Sequence, residues 1–318
     1  MLPPALNFIF LGKHFTPQVF ILQQMTLLSD TRTLKYNKQL KETNFMDKLK
    51  YKALALDLDG TLTDSEKRLP EENKKAIWKA IDAGVTIILA SGRAPMGINY
   101  IAEELELDKR GGIIAALNGG KVIDCRTGEV IVNILLPHEL IQDICDISAK
   151  HGAAPVSYTD TQVVSAHETE YVLKECKCNN TTLLKFDDLP EFLDYPINKL
   201  MISGENERLL KVQAEILAKH SDQMVSFFSE SFFLEAAPLG VGKDLALARI
   251  CEYLNISKEE VMVCGDGPND VTMFDFSGFA VAMKNAYPEA VEHADVVVPK
   301  TNDECGVAYA IEKYILGE

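Results

Sequence analysis

The chain has 318 residues, 47% hydrophobic and 25% charged, which is enough for two domains with separate cores. A net charge of −15 excludes the basic face of a nucleic-acid binder, yet leaves room for a phosphorylated ligand, because one metal ion and a few local cations can set a site's potential. No apolar run reaches the length of a membrane span. The seven cysteines are odd in number and lack Cys-x-x-Cys spacing, which points to reduced thiols and a cytoplasmic setting.

Residues 1–45 hold Lys13, Arg32, Lys35, Lys38 and Lys41 against only Asp30 and Glu42. The apolar run 5–12 is too short for a secretory signal. Few acids and scattered Ser/Thr fit a transit peptide, but Lys-Leu-Lys-Tyr and a strand follow Met46 at once. The segment is therefore read as an extension outside the fold.

From Tyr51 onward, short apolar runs at 53–56, 85–90, 113–117, 261–264, 279–283 and 296–298 predict buried parallel strands. Pro70, Glu71 and Glu72 open a helix with Ile77 and Ile81 on its inner face, and Gly84 closes it. Ser257 and Glu260 form a capping box ahead of 261. The alternation of strand and helix implies a parallel sheet covered on both faces. Residues 133–237 follow another order, with helices near 141–152, 168–176 and 205–219 and strands near 154–157, 162–166, 199–202, 225–228 and 232–236. That order predicts an inserted α+β unit with an antiparallel sheet, so the two halves of the core become 46–132 and 238–318.

Four segments carry chemistry. The first strand ends in Asp57-Leu58-Asp59-Gly60-Thr61. Acids at the carboxyl end of a buried strand bind a cation, perform acid/base chemistry or both; alternatively the run is a polar turn. An EF-hand fails: counted from Asp57, Gly60 falls fourth where the loop needs its Gly sixth, and Arg68 falls twelfth where it needs Glu. The second strand ends in Ser91-Gly92-Arg93, and 261–264 leads into Gly265-Asp266-Gly267-Pro268-Asn269-Asp270. Between them Gly240-Val241-Gly242-Lys243 starts a helix, without the first Gly or the Ser/Thr of a P-loop. Together they form a phosphoryl site, with Asp57 and Asp266 as Mg²⁺ ligands and Ser91 and Lys243 on the phosphoryl oxygens.

The set resembles the haloacid dehalogenase (HAD) superfamily phosphatases of the Cof type, with a type IIB cap, over residues 50–316. The four segments match that family's four motifs in order, and Asn118-Gly119-Gly120 is similar to a further loop of this branch. The resemblance implies a HAD-like Rossmannoid α/β core with an inserted α+β cap. It implies Asp57 as nucleophile, Asp59 as acid/base and, through its main-chain carbonyl, metal ligand, and Asp270 as ligand or outer carboxylate, with Asn269 orienting its neighbours and contacting substrate. The implied activity is Mg²⁺-dependent hydrolysis of small phosphorylated metabolites, sugar phosphates foremost, through an aspartyl-phosphate. A sugar phosphomutase and a non-catalytic sugar-phosphate sensor are the alternatives. Gly92 belongs to the phosphate loop. Arg93 either contacts substrate or pairs with an acid; Asn118 either contacts substrate or caps a turn. Gly242 and Asp244 depart from the usual Ser and Gly, and Asp244 could alter the field at Lys243. Trp78 is read as packing, and His138, His151 and His167 as cap surface. Cap residues around 158–162 and 168–174 would read the leaving group, and oligomeric state stays open.

Overall fold

The computed structural model describes residues 49–318; the expectations for residues 1–45 and Met46 lie outside them. The larger sheet has eight strands in the order β14-β13-β12-β1-β2-β3-β4-β5. In chain order these are β1 (Ala53–Leu56), β2 (Thr86–Ala90), β3 (Ile113–Ala116), β4 (Lys121–Asp124), β5 (Val130–Asn133), β12 (Val261–Gly265), β13 (Phe279–Ala282) and β14 (Val296–Val297). The six strands from β14 to β3 run parallel. β1 is central and every residue in it is buried. A strand with helices on both faces reads as a continuous apolar run because neither face meets water. Each fully buried Leu or Ile contributes roughly 1.5–3 kcal/mol.

β4 and β5 extend the sheet antiparallel, which the parallel-strand reading did not include. Both are short: Lys-Val-Ile-Asp is half polar, and Val-Ile-Val-Asn of β5 is partly exposed, as suits the edge strand. The helix Glu71–Asp82 follows Pro70, puts Glu71 and Glu72 in its first turn, and buries Asn73, Ala76, Ile77 and Ala80. Ile81 is only half-buried. Trp78 donates Nε1–H to the Leu105 carbonyl at 3.0 Å and is flanked by Lys74 and Arg110, a packing role. The capping box of Ser257 and Glu260 forms.

The second sheet has the order β10-β11-β9-β6-β7-β8. Its strands are β6 (Ala154–Tyr158), β7 (Val163–Ser165), β8 (Leu183–Lys185), β9 (Leu200–Ser203), β10 (Met224–Glu230) and β11 (Phe233–Pro238). It is antiparallel except that β7 and β8 pair parallel across the helix Glu170–Cys178. β8 and the short helix Leu189–Phe192 had no sequence expectation. Thr169 caps the helix by accepting from the Val172 N–H, so it starts two residues after 168. Helices Glu139–Lys150 and Asn206–His220 cover one face, packing Ile141, Ile144, Leu209, Val212 and Ile216 on Leu200, Ile202, Leu234 and Ala236. Because side chains alternate along a strand, Met201 and Phe233 fall on the other face, where they join a cluster with Met96 of the core. Among the described residues, no helix is long and apolar enough to cross a membrane.

Candidate active site

β1 and β12 lie side by side and end at the same level, with Leu56 opposite Cys264. The loops after them therefore meet. Asp57, Asp266 and Asp270 gather so that one oxygen of each lies within 4.8 Å of the others, and all three are buried. Lys243, at the first turn of helix Lys243–Leu254, reaches in from a third element. Its Nζ donates to Asp57 Oδ1 and to Asp270 Oδ1, both at 2.6 Å. The second oxygen of Asp270 accepts from the N–H groups of Asp266 and Gly267 at 2.9 Å, which fixes the loop. Thr61 donates its hydroxyl to Asp266 Oδ1 at 2.7 Å. Gly60 sits at φ +81, and a Cβ there would stand 2.3 Å from Asp266 Oδ2. Only glycine lets this backbone pass so close to the acid.

Three acids face one lysine. Burial, Asp270 and Asp266 push the Asp57 carboxyl well above the ordinary carboxylate range, against the pull of Lys243. Burial, with Asp270 and Asp59 adding, pushes Asp266 to about 6 although Thr61 and Lys243 oppose it. Lys243 is pushed upward, because Asp270 and Asp57 outweigh its desolvation. The cluster is short of positive charge, and its donors are all oxygens. Both facts fit a hard divalent cation held by Asp57, Asp266 and Asp270.

Asp59 turns away from this cluster. Its Oδ1 and Oδ2 accept from Arg93 Nη2 and Nε, and Lys67 Nζ lies against Oδ1 at 2.5 Å. Burial raises its proton affinity, but the bonds and charges of Arg93 and Lys67 outweigh that and hold the carboxyl below its usual value. Of the two readings of Arg93, the structure has the ion pair.

Ser91 and Gly92 follow β2. The Ser91 hydroxyl accepts from the Arg93 N–H at 3.2 Å. Leu117 and Asn118 both lie at left-handed φ, +56 and +53. That turn directs their N–H groups to the Arg93 and Ser91 carbonyls at 2.9 and 3.0 Å. Asn118 is thus part of a turn. Its buried Oδ1 nonetheless has no partner among the described residues.

The profile of the haloacid dehalogenase-like hydrolases matches residues 54–311. The chain belongs to that family. It is 30% identical over 297 residues to 5-amino-6-(5-phospho-D-ribitylamino)uracil phosphatase YwtE of Bacillus subtilis, covering 84% of this chain and 99% of the relative. A haloacid dehalogenase-like hydrolase from Bacteroides thetaiotaomicron superposes with a TM-score of 0.80 at 34% identity, over 83% of this chain and 99% of that one. TM0651 from Thermotoga maritima gives 0.73 at 29%, over 83% and 97%. The chain is a HAD phosphatase of the Cof type.

Within this HAD phosphatase, Asp57, Asp266, Asp270 and Lys243 come together as one cluster, and Asp59 joins Arg93. Asn269 does not come in: it is exposed, with its carboxamide over Gly267. Proline at 268 starts a single helical turn that turns residue 269 outward while 270 points inward. Asp244 is not an ion-pair partner of Lys243, whose acids are Asp57 and Asp270. Sequence reasoning missed Thr61, Lys67, Tyr100, Lys199 and Glu235. Glu235 had a signal, a lone acid inside the apolar strand Phe-Leu-Glu-Ala-Ala; Lys67 had none.

Proposed function

We propose that this phosphatase acts in the cytoplasm, with Mg²⁺, on small phosphorylated metabolites, sugar phosphates foremost. The observation that carries the reading is Lys243 bridging Asp57 and Asp270 at 2.6 Å inside a buried three-acid cluster. Such a site attracts both a cation and a phosphoryl group, and phosphoryl transfer needs mainly positioning and charge neutralisation.

The Asp57 carboxylate attacks phosphorus in line, forming an O–P bond as the bond to the leaving oxygen breaks. Asp59 supplies the proton that the leaving oxygen takes, which releases the alcohol. Water then attacks the aspartyl-phosphate, Asp59 takes its proton, and inorganic phosphate leaves with Asp57 restored. Ser91, Gly92 and Lys243 hold the phosphoryl oxygens. Asp57, Asp266, the Asp59 carbonyl and Asp270 would hold Mg²⁺, which would supply positive charge to neutralise the phosphoryl group.

A cavity of about 600 Å³ between the two sheets supports the substrate class. Tyr158, Tyr195, Asn198, Lys199, Lys121 and Asp160 line it, mixing aromatic walls with donors and acceptors suited to hydroxyls. The named substrate of the YwtE relative, a phosphorylated ribityl compound, is of the same polyol character. A panel of sugar, polyol, nucleotide and aryl phosphates with and without Mg²⁺ tests this, with Asp57→Asn as control. The expected result is Mg²⁺-dependent release of phosphate, fastest from sugar or polyol phosphates and lost in the variant. No turnover of any member overturns the reading. An isomeric sugar phosphate without free phosphate would mark a mutase, and ligand response surviving in Asp57→Asn a sensor.

A further inference from the structure

The three successive carbonyls of the loop Ser91-Gly92-Arg93 are all tied down. Core backbone takes the outer two, through the Asn118 and Leu117 N–H groups. The middle one is taken by the cap: Lys199 Nζ donates to the Gly92 carbonyl at 2.9 Å. The Gly92 N–H, in contrast, has no acceptor among the described residues. Fixing the carbonyls outward leaves that N–H for a phosphoryl oxygen.

Lys199 stands immediately before β9 and is 3% exposed. An ammonium buried so deeply needs a counter-charge, and Glu235 of β11, at 2%, supplies it at 3.2 Å. Strand alternation explains why both are there. Leu200 and Ile202, like Leu234 and Ala236, pack under the helix pair, so Lys199 and Glu235 face the opposite way, toward the core. Glu235 also approaches Asn118 Nδ2 at 3.5 Å, at the limit of a hydrogen bond. A ring therefore runs from the Gly92 carbonyl through Lys199 and Glu235 to Asn118, whose own N–H holds the Ser91 carbonyl. Just upstream, Asn198 Nδ2 donates to the Ile134 carbonyl at 2.8 Å, so the same segment is anchored where the chain passes from core to cap.

We propose that Lys199 is a positioning residue: from the cap it holds the Gly92 carbonyl, so that docking of the cap and assembly of the phosphate-binding loop are one event. The inference rests on the phosphatase reading of the Ser91 loop. It differs from a leaving-group contact in one respect. A cap residue that reads the leaving group affects only substrates that carry that group, whereas one that shapes the phosphate loop affects bare phosphate too.

The test uses the full chain as Lys199→Met and as the double variant Lys199→Met/Glu235→Gln, which leaves no unpaired buried charge. Inhibition by orthophosphate is measured beside kcat and KM for glucose 6-phosphate and phenyl phosphate, with thermal unfolding as the fold check. Expected are a weakening of orthophosphate inhibition by roughly 10- to 100-fold, and equal losses of kcat/KM for both substrates, in variants that still unfold cooperatively. Orthophosphate inhibition unchanged from wild type, with loss confined to glucose 6-phosphate, overturns the proposal. Failure of the phosphatase reading shows separately, as a wild-type protein that turns over neither ester. Calorimetric binding of orthophosphate to wild type and variants then still decides whether Lys199 shapes the loop.

Discussion

Arg93 grips both oxygens of Asp59, with Nη2 2.6 Å from Oδ1 and Nε 2.8 Å from Oδ2. Its remaining nitrogen donates to the Gly97 carbonyl at 3.0 Å and to the Tyr100 hydroxyl at 3.1 Å. Every nitrogen of the guanidinium thus has an acceptor within the protein. Asp59 is held ionised, which suits a base and opposes an acid. Replacing Arg93 by Met removes the largest partner that lowers its proton affinity. Asp59 then keeps its proton to higher pH, so the high-pH limb of the kcat profile moves upward, while kcat/KM falls by at least ~10-fold from the loosened loop. A pH–rate series on Arg93→Met checks both; a limb that stays or moves down contradicts the assigned role.

Asp57→Asn is expected to lower kcat by at least ~10³-fold, since no carboxylate remains to form the acyl phosphate. The same variant removes a buried carboxyl that burial first, and repulsion from Asp270 and Asp266 next, hold high. Metal-free Asp57→Asn therefore melts above metal-free wild type, as expected where a site is built at the expense of stability. Phosphate release and thermal unfolding in chelator measure the two effects.

Stabilisation by Mg²⁺ is expected to depend on pH with a definite sign. Asp266 titrates at about 6 in the fold against a usual 3.8. Between those values the metal-free fold holds a proton that the unfolded chain has lost, so this group's contribution to metal-free stability falls as pH rises through the window. The cation must displace that proton, and its affinity weakens by roughly tenfold per unit below pH 6 for one coupled proton. The rise in Tm on adding Mg²⁺ is thus larger at pH 8 than at pH 5. Equal shifts at the two pH values would remove Asp266 from the metal's ligands.

Gly60→Ala and Gly128→Ala share a left-handed backbone, φ +81 and +73, and so share a strain of about 1–2 kcal/mol. Only the first adds a clash, since the new methyl at 60 meets Asp266 Oδ2 while the one at 128 meets nothing within 4 Å. Gly60→Ala is expected to lose most activity and to need more Mg²⁺ for half-maximal rate. Gly128→Ala keeps its rate and loses only a few degrees in Tm. Paired Mg²⁺ titrations and melting curves make the comparison.

The parallel sheet was legible because buried strands leave uninterrupted apolar runs, and the acids stood out because each followed such a run. β4 and β5 were not legible, since four residues are too few to show a period and Lys-Val-Ile-Asp mixes polar and apolar residues as a loop does. The cluster of Asp57, Asp266 and Lys243 could be anticipated from residue type at strand and helix ends. The capture of Asp59 could not: Lys67 reaches it from a left-handed turn that nothing in Ser-Glu-Lys-Arg announces. The outward turn of Asn269 was not legible for a related reason, as a proline-started turn decides which of two neighbours points inward. Lys199 and Glu235 needed the alternation of two strands distant in sequence, which only the paired register supplies.

The place of β1 in the middle of the sheet has a consequence for biosynthesis. Asp57 leaves the ribosome well before its partners: the lysine that meets it lies 186 residues later, and the acid that Thr61 binds lies 205 residues beyond Thr61. Until β12 arrives, β1 lacks a neighbour on one side, and the acid cluster lacks two of its three carboxylates, Asp266 and Asp270. A nascent chain, or one truncated before Asp270, is therefore expected to be inactive whatever else it has folded, and hydrolysis is expected only once translation has passed that residue.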